Sequence, residues 1–294
     1  MVVYRLNDWP EVRIEHARRR LAEVRTILDD YVSGNPLGFE WIESGPKKRL
    51  TLSVQKLDQP PGNEMALLIG EVANALRGAL DSAVWQIIRD AGTEDFQKVA
   101  NQVKFPIIAD PEYWTKMTNL WLPGAPLVVV DRIRTCQPCE HPVDSPLHPL
   151  RALQLLSNQD KHAVSVGTSF EIDPEPTFEM EYAWPVRESE FAKWLSKGVR
   201  RPSGPIEVGA VVFSGSVPAY VAKIRAKPTA SISASANLSD GGCLTLDDIA
   251  QIADYVQQAV WHVQAGEAPQ EEFLKNPAPF TCTRNNPSVD ATRG

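Results

Sequence analysis

The spacing of hydrophobic positions changes near residue 162. Before that point they recur mostly every three or four residues, as on an amphipathic helix, and after it they mostly alternate, as on a half-buried strand. Ile14, Ala17, Leu21, Val24, Leu28 and Tyr31 define one face of a helix over Trp9 to Val32, which Ser33-Gly34-Asn35-Pro36 ends. The longest helical pattern runs from Glu64 to Asp90, with Asn63 placed to cap it. It is apolar nearly all round, and charge in its middle is confined to Glu71, Arg77 and Asp81, so it belongs in the interior. A further helix spans Leu150 to His162. Leu153 and Leu156 face its core side, while Arg151, Gln154, Asn158 and His162 line the opposite side.

Strand patterns begin early, with Gly38 to Glu43 and Leu50 to Lys56 joined by Ser44-Gly45-Pro46 as a hairpin laid over the helices. Beyond His162, alternating or β-branched runs cover Ala163 to Glu171, Thr177 to Trp184, Ile206 to Ser214 and Tyr220 to Leu238, with a short helix at Glu188 to Lys197. These runs predict an antiparallel sheet that the early hairpin extends. A last helix, Leu246 to Gln264, has Thr245 as its cap and Ile249, Ile252, Val256, Val260 and Val263 on one face.

The stretch from Ala91 to Pro149 is irregular. Phe105-Pro106-Ile107 reads as extended, a helix can start at Pro111, and Pro126 to Arg134 fits either helix or strand. The predicted fold is α+β, a helical bundle portion packed with an antiparallel β-sheet. It forms a single domain over residues 1–265, with a helical core at 1–162 and mainly strands plus a closing helix at 163–265, followed by a flexible tail at 266–294.

Composition narrows the class of protein. With 294 residues, 43% of them hydrophobic and 23% charged, the chain reads as an ordinary soluble globular protein. It has no apolar run near the ~18 residues of a membrane span and no secretory leader pattern, which predicts a cytoplasmic protein without a membrane partner. Four cysteines are too few for a disulfide scaffold, and a net charge of −7 argues against general polyanion binding. Self-association is left open. Arg13, Arg18, Arg19, Arg20 and Arg25 on the first helix suggest either a nucleic-acid contact or a solvated face. Interleaved Glu11, Glu15 and Glu23 favour the second.

Candidate chemistry concentrates on the long helix, where Gly70, Asn74, Arg77, Gly78, Asp81 and Trp85 share one stripe. A second candidate is Cys136-x-x-Cys139-x-His141 with His148, two thiols and two imidazoles in a span that can wrap one zinc ion. Pro138 removes an amide that such knuckles use to bond thiolates, so two ordinary thiols and two loop histidines are the expected reading, with no metal and no cofactor. Phosphate-binding glycine loops, a dinucleotide fingerprint and a nucleophile elbow are absent from the sequence.

Asn74 to Trp85 (NALRGALDSAVW), Phe105 to Ile107 (FPI) and Leu156 to His162 (LSNQDKH) together resemble a motif set of uncharacterised bacterial and phage proteins, in which an N-L-R-x-x-L-D helix, an FPI segment and a D-K-H helix end follow in that order. This resemblance implies a layout and no activity. A weaker resemblance is to HEPN domains, helical bundles that include ribonucleases of toxin and phage-defence systems, in which an arginine and a histidine on one helix are separated by four to six residues. Here the arginine is Arg77, and Ser82 stands at the corresponding place. On that resemblance Arg77 would stabilise developing phosphorane charge, His162 would replace the missing imidazole as general acid or base, and Asp81 or Asp160 would orient one of them. Asn74, Asn158 and Lys161 would bind RNA. The expectation favoured over this degenerate, metal-independent ribonuclease is a non-enzymatic binding or structural module. In it, Arg77 pairs with Asp81 or Asp160 inside a buried polar network.

Overall fold

A computed structural model of the chain describes residues 8–45, 48–92, 96–141, 147–161, 166–175, 177–183, 187–200 and 206–265, apart from the side chains of Asp160 and Lys161. The first half carries α1 (Trp9–Ser33), β1 (Leu37–Ser44), β2 (Arg49–Leu57), α2 (Gly62–Asp90), α3 (Phe96–Val99), α4 (Trp114–Trp121) and α5 (Leu127–Thr135). The second half carries α6 (Pro149–Lys161), β3 (Gly167–Glu175), β4 (Phe178–Tyr182), α7 (Glu188–Gly198), β5 (Val211–Ser216), β6 (Val221–Ala226), β7 (Thr229–Asn237), β8 (Cys243–Thr245) and α8 (Leu246–Ala265). The fold is α+β. The expected tail at 266–294 lies outside the described residues. Among the described residues no helix is long and apolar enough to cross a membrane.

The chain divides into two compact units. The first comprises residues 1–26, 62–169 and 235–294 and the second residues 27–61 and 170–234. In the first unit α2, α6 and α8 pack on one another, and α5 packs on α8. Met65, Ile69, Val72, Leu76, Leu80, Val84 and Ile88 recur along α2 and are almost completely buried. Each such side chain contributes roughly 1.5–3 kcal/mol relative to exposure. α1 buries Ile14, Ala17, Leu21 and Val24, the stripe its spacing predicts. α8 buries Ile249, Ile252, Val256, Val260 and Val263. Its start is a reciprocal cap: the Asp248 N–H donates to Thr245 Oγ1 at 3.1 Å, and the Thr245 N–H donates to Asp248 Oδ2 at 2.8 Å.

Pro126 to Arg134, open between helix and strand in the sequence, resolves as α5. Val129 and Ile133, four apart, are its buried positions, so packing overrides the low helix propensity of its valines. The long helix differs from expectation in one respect. Its stripe of small and ionisable residues is half-buried from Asn74 to Trp85, rather than sealed within the core.

In the second unit β1, β2 and β5 form one antiparallel sheet, and β4 pairs with β6 in another. Leu50, Leu52, Val54, Val212 and Phe213 form its buried centre, with Trp194 and Phe178 packed against it. The Phe213 ring lies 4.9 Å, centroid to centroid, from both Phe178 and Trp194. A third sheet has the order β3-β7-β8. The described strands therefore make three small sheets rather than the single one expected. The run Tyr220 to Leu238 splits into β6 and β7 at Lys227-Pro228, where proline has no N–H for a ladder.

Candidate functional site

The polar stripe of α2 meets the extended Phe105-Pro106-Ile107 segment, whose backbone groups have no strand partner. Instead, side chains and loop backbone satisfy them one by one. The Phe105 N–H donates to Asp81 Oδ1 at 2.9 Å, and Arg77 Nη2 donates to the Phe105 carbonyl at 2.6 Å. Arg77 and Asp81 also pair with each other at 3.3 Å. Both sides of one residue's backbone are thus held by an i,i+4 ion pair on a single helix face. Further along, Gln154 Nε2 donates to the Ile107 carbonyl at 3.4 Å, and Gln137 Oε1 accepts the Ile108 N–H at 2.9 Å. The Lys104 N–H donates to the Trp121 carbonyl, and the Cys139 N–H to that of Ile108, both at 3.1 Å. This is how an irregular segment can hold a buried path: Phe105, Ile107 and Ile108 are all buried, and an unmatched amide there would be costly.

Of the remaining candidates, Asn74 sits half-buried on the same face of α2, while Asn158 is exposed on α6. His162 and the side chains of Asp160 and Lys161 lie outside the described residues. On α6, Arg151 Nη1 donates to Gln154 Oε1 at 2.6 Å, which orients the glutamine toward Ile107. Trp114 is buried and has Arg134 above its ring at 5.7 Å, so it acts as an anchor for the irregular segment.

The cysteine and histidine loop is occupied by structural bonds. Cys136 Sγ donates to the Arg132 carbonyl at 3.5 Å, and burial pushes its thiol up to about 12, so it remains protonated. His148 Nδ1 accepts the Leu150 N–H at 3.2 Å, which leaves the ring proton on Nε2, 3.2 Å from Tyr255 Oη. Tyr255 in turn donates to the Cys136 carbonyl at 3.1 Å. The rings of His141 and His148 lie 4.6 Å apart. Among the described residues no three His, Cys, Asp or Glu side chains gather as metal ligands.

Burial, reinforced by His141, pushes His148 down from 6.5 to about 3. Its neutral ring therefore contributes stability that is complete above about pH 6.5 and is lost as pH falls toward 3, because the unfolded chain takes up a proton that the folded chain refuses. Within that window stability should fall by up to about 1.4 kcal/mol per pH unit from this residue alone. Denaturant titrations of wild type and His148→Gln between pH 7 and 4 check this, and the expected outcome is a shallower pH slope in the variant.

A cleft of about 560 Å³ opens between α1 and the C-terminal half of α2, walled by Trp9, Arg13, Gly78, Asp81, Ser82 and Trp85. Gly78 leaves space for the side chain of Arg13 on the first helix. A Cβ there would stand 2.7 Å from Arg13 Nη1, so the guanidinium lies directly over the α2 backbone. Three of the other four arginines of α1 are paired: Arg18 with Asp254, Arg20 with Glu23 and Glu71, and Arg25 with Asp247, at 2.7–2.8 Å. Hydrogen bonding to Glu23, with the charges of Glu23 and Glu71, raises Arg20 further. Arg89, also on the cleft, sits 5.2 Å above the Trp85 ring and pairs with Asp90.

The stripe residues Gly78, Asp81 and Trp85 were legible as a candidate surface, but Trp9 and Arg89 carried no sequence signal, and Arg13 read as one of a solvated cluster. Only the tertiary placement of α1 beside α2 brings them together. The chain matches no family model, no curated protein and no solved structure.

Proposed function

We propose that this chain is a non-enzymatic binding module in which the Arg77–Asp81 pair is a structural brace and the neighbouring cleft receives the ligand. The observation that carries this reading is the double engagement of Phe105, whose N–H goes to Asp81 and whose carbonyl goes to Arg77. Arg77 Nη2 is committed to both the Phe105 carbonyl and the Asp81 carboxylate, and the side chain is only 14% exposed, which fits a brace better than a group facing a developing phosphorane; Asp81 Oδ1 is spent on the same segment. Ser82, at the place of the HEPN histidine, has no group that titrates near neutral pH.

The test is RNA cleavage by the purified full chain without divalent metal, with Arg77→Ala and His162→Ala as comparisons. The expected result is no cleavage in any of the three and a lower melting temperature for Arg77→Ala. Cleavage by wild type that disappears in both folded variants would replace this reading with the HEPN-like ribonuclease.

A further inference from the structure

The cleft between α1 and α2 brings together an indole, a guanidinium and a carboxylate. Trp9 is 51% exposed, lines the cleft and has no ring partner among the described residues, so its indole is available for stacking. Arg13 is exposed and has no hydrogen bond or ion pair among the described residues, in contrast to Arg18, Arg20 and Arg25 on the same helix. Asp81 reaches the cleft as well. Its Oδ1 carries both the Arg77 and Phe105 contacts, leaving Oδ2 without a partner among the described residues. Ser82 also lines the cleft. A π-face, an uncommitted guanidinium and an uncommitted acceptor in a space of about 560 Å³ fit a ligand that carries a planar ring, donor groups and an anion.

Resting on the binding-module reading above, we propose that this cleft binds a nucleotide. The base stacks on Trp9, the phosphate takes a charge-assisted hydrogen bond from Arg13, and Asp81 Oδ2 accepts from a sugar hydroxyl or a base amine. The carboxylate and the phosphate repel each other, which sets the polarity of the ligand: sugar and base toward Asp81, phosphate toward Arg13. Gly78 leaves room for the Arg13 guanidinium in its present position, and a larger side chain there would make its tip shift. A free mononucleotide and a nucleotide within single-stranded RNA share this chemistry.

Isothermal titration of the full chain in metal-free, low-salt buffer with AMP, adenosine, inorganic phosphate and hexa-adenylate tests the proposal. AMP should bind, and Arg13→Ala should weaken AMP about tenfold while leaving adenosine unchanged, the loss expected for one charge-assisted hydrogen bond. Trp9→Ala should weaken AMP and adenosine alike. Trp9 and Arg13 are exposed, so their variants keep the fold. Hexa-adenylate binding more tightly than AMP identifies single-stranded RNA as the source, and equal affinity identifies the free nucleotide. Absence of binding by both AMP and hexa-adenylate at millimolar concentration, or AMP binding unaltered in Arg13→Ala and Trp9→Ala, overturns the nucleotide assignment alone. Shortened hexa-adenylate recovered after the titration overturns the non-enzymatic reading on which it rests.

Discussion

Replacing Asp81 by alanine should cost the folded chain about 3 kcal/mol, a fall in melting temperature of about 6–12 °C. The substitution leaves the Phe105 N–H without its acceptor and Arg77, only 14% exposed, without its carboxylate. Breaking a buried ion pair by removing one partner is the costly case. The 32% exposure of Asp81 places the expected loss at the lower end of that range. The series around this position separates the two contributions. Asp81→Asn keeps an acceptor for the Phe105 amide and loses only the ionic part, so about 1–2 kcal/mol is expected. Arg77→Met removes the charge and the donor together and should fall in the same range, because the Asp81 carboxylate it leaves behind is 32% exposed to water and keeps the Phe105 N–H. Combining Arg77→Met with Asp81→Ala should cost less than the sum of the two, since the pair acts as one brace. Thermal or urea unfolding of the four variants measures this order, and an Asp81→Ala protein as stable as wild type would remove the brace from the description.

The second large effect lies in the other unit. Phe213 is fully buried between Phe178 and Trp194, and Phe213→Ala should destabilise by about 3–5 kcal/mol, through lost burial and the cavity left behind. Gly198, at the end of α7, faces the same ring so closely that an added Cβ would overlap its edge carbons. Gly198→Ala alone should therefore cost about 1–3 kcal/mol by overpacking. The double variant discriminates steric conflict from a loss of helix-end flexibility. If the conflict is steric, the new methyl occupies part of the space vacated by the phenyl ring, and the double variant is less destabilised than the sum of the singles. Simple additivity in urea unfolding would mean that Gly198 is required for its backbone rather than for the ring.

These two sites show where sequence reading stops. Arg77 and Asp81 stand four apart on a helix, so their pairing could be read directly from the chain. The backbone they hold lies 28 and 24 residues further on, and nothing local couples FPI to the stripe. Gly198 likewise sits at a helix end, where glycine is common, and its use as clearance for Phe213 is a long-range fact. The strands were located by alternation, but the division into three sheets depends on which strand finds which partner, and that choice is made across long stretches of chain.

By itself the sequence determined the long helices and their inward faces: the 3.6-residue repeat of α1 and α8, the Thr245 cap, and the interior character of α2 all follow from interactions within a few residues. Tertiary structure alone decided that the polar stripe of α2 is half-open, that its ion pair is spent on the Phe105 backbone, and that Trp9 and Arg13 border it. The physical reason is that periodicity fixes which face of a helix is apolar, whereas the neighbour that covers the remaining face is chosen by packing between segments far apart in the chain.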